Sequence, residues 1–204
     1  MWSEWAERRI PPPVDGEGTE DEPKQWQPKR RGYGADIENM DRLIGRILAA
    51  VEARGELEQT LVVYASDHGE MLGDHGLWGK RQWYAPSVGV PLVARGPGVC
   101  RGGESAALVD LHDLAATFLD YADAETLPGS DALSLRAVLS GGSRDHRTVA
   151  TSAFGDWRMV FDGRYKLVQE GTGDTMWLFD TVTDPAERRN VSQDYPHITQ
   201  RLRE

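Results

Sequence analysis

The chain has 204 residues, of which 39% are hydrophobic, so it is long enough to bury the core of one domain, or of one domain with a small appendage. Its formal net charge of -10 argues against binding to nucleic acid or to an anionic membrane surface, because both draw on clustered Lys and Arg. No apolar run approaches the roughly 18 residues of a membrane span. No signal peptide is visible either, so we expect a soluble protein, with the cytoplasm as the default compartment.

The N-terminal part of the chain has no regular pattern. Residues 1–32 are rich in proline and glycine and show no sustained periodicity, which predicts an extended arm or linker. From Tyr33 onward, apolar residues recur at helical spacing, and Gly55 supplies a stop. We therefore predict a helix over residues 33–54.

Two apolar runs and a further helix follow. One strand is predicted near residues 60–65 and another near residues 90–95, where the second run closes at a Gly-Pro-Gly turn. Residues 108–121 carry apolar side chains on one side, which predicts a helix. The order helix, strand, loop, strand, helix indicates an α/β layer.

The pattern changes after a break that is rich in Gly, Ser and Arg. Short aromatic or β-branched runs are separated by turn residues, which predicts a small antiparallel sheet followed by a polar helix near residues 194–203. The four predicted strands cover residues 148–153, 157–162, 165–169 and 175–179. We assign residues 141–204 to a small C-terminal α+β subdomain.

The most informative segment, residues 66–80, directly follows the first predicted strand. It reads Ser-Asp-His-Gly-Glu-Met-Leu-Gly-Asp-His-Gly-Leu-Trp-Gly-Lys, so one glycine-rich loop holds carboxylates, two imidazoles and an ammonium. A strand that ends in Asp-His and opens into such a loop delivers these side chains to the edge of a sheet, where open α/β folds place their sites. This combination is the chemistry of a metal-assisted anion site.

The ordered motifs resemble the type I sulfatases of the alkaline phosphatase superfamily. The matching residues are 33–48, 60–63, 66–76, Lys80, 90–92 and 96–98, and in the tail 164–167, 178–180, 184–187 and Asn190. The resemblance extends from residue 33 to about residue 195 and corresponds only to the C-terminal half of that family. It implies an α/β, alkaline-phosphatase-like sandwich fragment, in which residues 33–140 belong to the catalytic α/β domain.

The upstream half of such a sulfatase carries features that this sequence lacks. They are paired aspartates that bind the metal and a Cys-x-Pro-x-Arg or Ser-x-Pro-x-Arg motif, whose first residue becomes the formylglycine nucleophile. The single cysteine, Cys100, is followed by Arg101 and Gly102 instead. Residues 84–91 also have Ala and Gly where many members have Glu and Arg. The resemblance therefore implies a portion of a hydrolase that is inactive by itself.

The resemblance implies roles for four residues of the loop. Asp67 and His68 would be metal ligands, since a carboxylate oxygen and a neutral imidazole suit a divalent ion; Ca²⁺ is favoured, with Mg²⁺ or Mn²⁺ as alternatives. Lys80 would bind the sulfate oxygens and balance charge on the leaving group. His75 would either donate a proton to the leaving oxygen or order the loop. The alternatives are a turn-capping Asp, a His bonded to backbone and a solvated lysine.

Three functions remain open at this point. The resemblance favours hydrolysis of a small sulfate ester by an enzyme to which this chain contributes part of the metal and sulfate site. A phosphonate or phosphodiester hydrolase of the same superfamily would share that metal site. The third function is that of a non-catalytic remnant or partner-binding fragment. The expected partners are the sulfate ester and the missing N-terminal half, and neither nucleic acid nor a membrane is expected.

Overall fold

A computed structural model describes residues 2–13, 23–172 and 175–204 of the chain. Its helices and strands follow in this order: α1 (Trp2–Trp5), α2 (Pro23–Ala53), β1 (Val62–Ala65), α3 (Ala85–Val88), β2 (Leu92–Arg95), α4 (Asp113–Tyr121), α5 (Arg136–Leu139), β3 (Ala150–Phe154), β4 (Trp157–Phe161), β5 (Tyr165–Glu170), β6 (Thr175–Asp180) and α6 (Pro196–Arg203). None of the helices in these ranges combines the length and the apolarity that crossing a bilayer requires.

The first long helix starts earlier than the sequence predicted. Residues 23–32, assigned from the sequence to an extended arm, form the first turns of α2, and Trp2–Trp5 is also helical. The rest of that predicted arm includes residues 14–22, which lie outside the described residues. The predicted start at residue 33 is therefore wrong, whereas the end of α2 at Ala53 agrees with the prediction.

Packing between helices explains this difference. The helix continues through Pro28 and Gly34, two residue types with low helix propensity. A Cβ at Gly34 would lie 2.3 Å from atom Cζ3 of Trp5, so only glycine lets the tryptophan ring of α1 settle on α2. The Trp5 indole also donates a hydrogen bond to Glu38 at 2.5 Å. These tertiary contacts outweigh the local propensities that favoured a linker.

The strands on either side of the site loop form a two-stranded sheet. β1 and β2 pair antiparallel, with Val63 opposite Ala94, and both lie where strands were predicted. Within the described ranges, this sheet contains no further strand. Tyr64 and Val93 remain 41% and 62% exposed, so the described residues leave apolar side chains of this sheet in contact with solvent.

Helix α2 exposes its apolar stripe as well. The large apolar side chains on this helix that are more than a third exposed are Tyr33, Ile37, Met40, Leu43 and Ile47. Their spacing is that of a helix face which normally packs on a core. Within the described residues, most of this face is not covered.

The four C-terminal strands form an antiparallel meander in the order β3-β4-β5-β6, which confirms the predicted small sheet. One face carries a cluster of buried residues that packs against Trp83 and Tyr84, which follow the site loop: Trp157, Met159, Val168 and Phe179. The opposite face packs on α6 and its approach through Leu167, Leu178, Val191, Ile198 and Leu202. Because both faces are covered, β5 is apolar at consecutive positions. The boundary at residue 141 stays a prediction.

Acid is expected to destabilise this sheet through Asp180, the last residue of β6. Hydrogen bonds from the Arg164 guanidinium, 2.8 and 3.2 Å long, lower the pKa of Asp180 to about 2, although burial opposes this shift. An unfolded aspartate has a pKa of about 3.9. The stabilising contribution is therefore complete above about pH 4 and is lost as the pH falls towards 2.

Thermal unfolding between pH 7 and pH 2 tests this expectation. Asp180→Asn should melt lower than the wild type at pH 7 and show a weaker loss of stability between about pH 4 and pH 2. Asp156→Asn, in the exposed turn between β3 and β4, is the matched control and should follow the wild type. Equal pH slopes for the wild type and Asp180→Asn would contradict the assignment.

Candidate functional site

The loop that follows β1 lines a cavity of about 840 Å³. Three residues that the sequence singled out, Asp67, His68 and Lys80, lie on its wall together. Strands β3 and β4 and residues 107–112 contribute other parts of the lining. The structure therefore brings these three side chains to one wall, whereas their chemical roles stay predictions.

His68 is held in an orientation that leaves one ring nitrogen unprotonated and facing Lys80. Its Nδ1 lies 2.7 Å from the carbonyl oxygen of Gly69, which can only accept a hydrogen bond, so Nδ1 carries the proton. Nε2 is therefore left with its lone pair. It lies 2.6 Å from Lys80 Nζ and 3.7 Å from an oxygen of Asp67. A ring nitrogen, an ammonium and a carboxylate thus meet at one point.

Hydrogen bonds within the loop bring Lys80 back to His68. The carboxylate of Glu70 accepts the N–H of Gly79 at 2.6 Å, and the N–H of Met71 bonds to the carbonyl of Gly79 at 2.8 Å. The side chain of Met71 is fully buried and anchors the loop. Lys80 comes directly after this closure, so its position follows from bonds local to the motif.

Gly69 fixes the start of the loop against helix α3. A Cβ at this position would lie 2.0 Å from the carbonyl oxygen of Pro86, and the Gly69 N–H donates to the carbonyl of Ser87 at 2.8 Å. Any side chain would separate these two segments. The glycine after Asp67 and His68 is therefore required by a close backbone approach.

Asp67 and His68 fit one corner of a divalent-metal site. Metal-binding histidines commonly donate their other ring N–H to a carbonyl, as His68 does. The side chain of Asp67 is 85% exposed, so its oxygens are free to coordinate an ion. Across residues 2–13, 23–172 and 175–204, however, no three His, Cys, Asp or Glu side chains are grouped to hold a metal. The remaining donors would have to come from elsewhere.

The predicted proton donor His75 lies apart from these residues. Its ring stacks on that of Tyr84, with centroids 3.7 Å apart and planes 14° from parallel. The residue has a positive φ of 55°, and it is not among the residues that line the cavity. This position favours the loop-ordering alternative, and a role in proton transfer stays a prediction.

The C-terminal sheet holds the segment after Lys80 in place. The indole Nε1 of Trp157 donates to the carbonyl of Arg81 at 2.9 Å, and Lys166 Nζ donates to the carbonyl of Trp83 at 3.0 Å. Glu187 forms an ion pair with Lys166 and accepts the N–H of Ala85 at 2.6 Å. These contacts join the end of the chain to the site loop.

The Lys166–Glu187 pair is buried on the wall of the cavity, where the two side chains are 5% and 1% exposed. Burial lowers the pKa of Lys166, and the nearby carboxylate of Glu187 opposes that shift. Neither residue was identified as part of the site from the sequence. Both lie in motifs of the resemblance, but their contacts with Trp83 and Ala85 span 83 and 102 residues, so no local spacing reveals them.

A second buried network supports the cavity wall near residue 112. Asp113 is fully buried and accepts hydrogen bonds from Arg147, from His146 at 3.0 Å, and from the N–H groups of Leu133 and Asp110 at 2.9 and 3.1 Å. Burial alone would raise the pKa of Asp113, but these bonds, led by that from Arg147, hold it well below its ordinary value. The carboxylate is therefore a permanent anion at neutral pH.

Arg147 connects the buried Asp113 to residues that line the cavity. Its Nη2 lies 2.9 Å from Nε2 of His112, which lines the cavity, and its Nε lies 3.8 Å from Asp110, another lining residue. The predicted helix 108–121 begins only at Asp113, because the side chain of Asp113 accepts the Asp110 N–H and turns the preceding residues into the wall.

Comparison with known families decides what kind of chain this is. The Sulfatase family model matches residues 3–124, and the model of N-sulphoglucosamine sulphohydrolase, C-terminal, matches residues 73–204. The chain belongs to the sulfatase family. The resemblance seen in the sequence is thereby confirmed.

Relatives of this sulfatase-family chain are considerably longer than the chain itself. It is 31% identical to arylsulfatase K of Mus musculus over 202 residues, which are 92% of this chain and 36% of the relative. It is also 31% identical to choline-sulfatase of Rhizobium meliloti (strain 1021) over 172 residues, 81% of this chain and 33% of the relative. The sulfatase-family chain thus spans about a third of the length of these relatives.

Solved structures share its fold. A protein solved in complex with its substrate D-glucosamine-2-N,6-O-disulfate superposes with a TM-score of 0.81 at 29% identity, over 87% of this chain and 39% of that one. The phosphonate monoester hydrolase of Silicibacter pomeroyi superposes with a TM-score of 0.82 at 28% identity, over 98% and 49%. The predicted alkaline-phosphatase-like sandwich fragment is confirmed for the sulfatase-family chain.

Proposed function

We propose that this chain supplies the metal- and sulfate-binding part of a sulfuric ester hydrolase. The observation that carries the proposal is the meeting of Asp67, His68 and Lys80 at one point on the cavity wall. Family membership and the arylsulfatase and choline-sulfatase relatives support a sulfate ester as the substrate class. A sulfate ester is a tetrahedral anion, and a compact ammonium at this point suits it.

Asp67, His68 and Lys80 have different roles in this proposal. A divalent ion, when bound, supplies Lewis-acid polarisation of a sulfuryl oxygen. Asp67 and His68 would hold that ion, Asp67 through a carboxylate oxygen and His68 through Nε2, the nitrogen left unprotonated when Nδ1 donates to the Gly69 carbonyl. Lys80 Nζ lies 2.6 Å from the same Nε2, so its ammonium would be positioned beside the ion to bind the sulfate oxygens.

The nucleophile has to come from outside this chain. The sequence contains neither form of the formylglycine motif, and Cys100 is exposed and is not among the residues lining the cavity. Ester hydrolysis by covalent catalysis depends on such a group. The 204 residues by themselves are therefore expected to bind a sulfate ester but not to hydrolyse it.

A polypeptide equivalent to the missing N-terminal half is the expected partner. The exposed apolar stripe of α2 and the exposed side chains of Tyr64 and Val93 provide the surface, because large apolar patches mark protein interaction sites. The chain spans only about a third of its relatives, which leaves a polypeptide of the required size unaccounted for.

Metal binding can be measured on this chain directly. Two donors are fewer than the six to eight oxygens that Ca²⁺ takes, so we expect weak binding. Titration calorimetry with Ca²⁺, Mg²⁺ and Mn²⁺ should give a signal that shrinks in Asp67→Ala. Asp36→Ala, an exposed carboxylate on α2, is the control and should leave the signal unchanged. Identical isotherms for the wild type and Asp67→Ala would remove Asp67 from the site.

Turnover tests the proposed function. The chain with p-nitrophenyl sulfate and a divalent metal should stay at background. Activity should appear when an upstream sulfatase half with a modified Cys-x-Pro-x-Arg motif is co-expressed, and Lys80→Ala should then lower kcat/KM at least about a hundredfold. Turnover by the chain alone, unaffected by Lys80→Ala, would refute the proposal.

A phosphonate monoester hydrolase is the second candidate, favoured by the match to the enzyme of Silicibacter pomeroyi over 98% of this chain. The same metal corner and ammonium suit a phosphonate monoester, which is also a tetrahedral anion. The completed protein should therefore be assayed with p-nitrophenyl phenylphosphonate beside p-nitrophenyl sulfate. A higher kcat/KM for the phosphonate would replace the sulfatase assignment.

A further inference from the structure

Arg81, the residue after Lys80, carries a charge on the cavity wall that is not neutralised. Its side chain is exposed and lines the same cavity as Lys80. Its guanidinium lies 5.6 Å from the ring centroid of Phe154, within the range of a cation–π contact. Within the described ranges, no carboxylate forms an ion pair with it. An arginine without an anionic partner on a binding wall can accept one from a ligand.

Of the three acidic residues that line the same cavity in the described part of the chain, two have other partners and the third belongs to the proposed metal site. Asp110 accepts the N–H of Thr151 at 3.3 Å and lies 3.8 Å from Arg147. Glu187 is paired with Lys166. Asp67 lies beside His68, in the corner proposed for the metal. The cavity therefore offers a second cation, besides Lys80, to whatever binds there.

The backbone at Arg81 is held in a conformation that glycine adopts more readily. Its φ is 87°, a left-handed value that an L side chain rarely takes. The hydrogen bond from Trp157 to the Arg81 carbonyl fixes this turn. Backbone strain of this kind persists where the surrounding structure enforces it, and such positions cluster at binding sites. The strain presents the guanidinium on the cavity wall directly after Lys80.

Phe154 provides an aromatic surface against which a ligand can pack. Its ring is 50% exposed at the end of β3 and lines the cavity beside the guanidinium. A cavity of about 840 Å³ accommodates a molecule much larger than a sulfate ion. The planar fork of an arginine binds sulfate and carboxylate groups through two parallel hydrogen bonds. An aromatic ring next to such a fork suits a ring-shaped substrate with a second charged substituent.

We propose that Arg81, supported by Phe154, binds a second anionic group, a sulfate or a carboxylate, on the same substrate molecule whose ester sulfate contacts Lys80. This inference rests on the proposed function, because it places the first sulfate at Lys80. Arg81 is then a specificity-determining residue: it favours substrates with two anionic groups over those with one.

Binding of two matched ligand pairs tests the inference on the 204-residue chain. The first pair is N-acetylglucosamine 6-sulfate and glucosamine 2-N,6-O-disulfate, and the second is glucuronic acid 2-sulfate and its methyl ester. Calorimetry with a divalent metal present should give the dianionic member of a pair roughly tenfold tighter binding. The pair that shows the preference tells whether the second group is a sulfate, a carboxylate or either.

Arg81→Ala should abolish this preference, because it weakens the binding of the dianionic ligand far more than that of the single-sulfate ligand. Arg81→Gly should do the same, with an unfolding midpoint no lower than that of the wild type, because glycine tolerates the positive φ. Arg101→Ala, which removes an arginine that is 90% exposed elsewhere, should retain the preference. Lys80→Ala should weaken the binding of all four ligands.

Two results would overturn the inference in different ways. If the wild type binds the two members of each pair equally tightly, the role of Arg81 is wrong while the proposed function stands. The same holds if the preference for the dianionic ligand survives in Arg81→Ala and Arg81→Gly. If the wild type binds none of the four ligands, the proposed function fails and the inference fails with it.

Discussion

Glu187→Ala is expected to lower the free energy of unfolding by about 3–5 kcal/mol, because it leaves the buried charge of Lys166 without its partner. The two side chains are 1% and 5% exposed, so water cannot replace the lost carboxylate. The N–H of Ala85 also loses its acceptor at 2.6 Å. Lys166 and Ala85 both help to position the segment that follows Lys80. The variant should therefore make this part of the cavity wall less ordered as well as lowering the stability of the fold.

Denaturant unfolding of single and double variants separates the pair from its parts. Lys166→Ala should be similarly costly, whereas the double variant Lys166→Met, Glu187→Leu should cost much less than the two single changes added together, because it removes both charges. Arg189→Ala breaks an ion pair whose side chains are 74% and 49% exposed, so it should cost less than about 1 kcal/mol. Additive single and double effects would show that Lys166 and Glu187 do not stabilise each other.

Asp113→Ala should be about as destabilising, with a loss of about 3–5 kcal/mol. The carboxylate is fully buried and is the common acceptor for Arg147, His146 and two backbone N–H groups. Its removal leaves the guanidinium of Arg147, whose side chain is 14% exposed, without its main counter-ion. Because Arg147 also lies 2.9 Å from His112, the change should reach the cavity wall.

Two further variants sharpen this prediction. Asp113→Asn keeps the shape and one acceptor oxygen but removes the charge. Its free energy of unfolding should therefore lie between those of the wild type and the alanine variant. Asp131→Ala removes a 91% exposed carboxylate 3.5 Å from the same His112 and should change the unfolding free energy by less than about 1 kcal/mol. Urea unfolding curves at neutral pH measure all three, and an Asp113→Ala curve that overlies the wild type would contradict a structural role for this network.

The site loop was predictable because its geometry depends on bonds within one short segment. Gly69, Glu70 and Gly79 are close in sequence, and their hydrogen bonds return Lys80 to His68 without help from the distant chain. The C-terminal strands were predictable for a similar reason, since turn residues separate runs of strand-forming residues. Spacing along the chain is sufficient to predict a structural element wherever the contacts that form it are local.

Other predictions failed, or could not be made, where distant segments meet. The start of α2 at Pro23 depends on Trp5 packing over Gly34, a contact that no helical pattern within α2 contains. The pairing of Glu187 with Lys166 and with the N–H of Ala85 likewise joins segments that no local spacing connects. Propensity and motif matching cannot see such contacts, because the decisive neighbour lies elsewhere in the sequence.

The sequence by itself determined that Asp67, His68 and Lys80 belong to one loop after the first strand, and that a small antiparallel sheet follows them; the binding of a metal and a sulfate by these three residues stays a proposal. Only the tertiary structure decided which distant residues position these side chains and which further residues line the cavity. Lys166 and Glu187 hold the segment after Lys80 across separations of 83 and 102 residues, and Trp157 donates a hydrogen bond to the backbone carbonyl of Arg81. The physical reason is that a short loop closes through its own hydrogen bonds, whereas a buried charge must find its partner wherever the fold brings one.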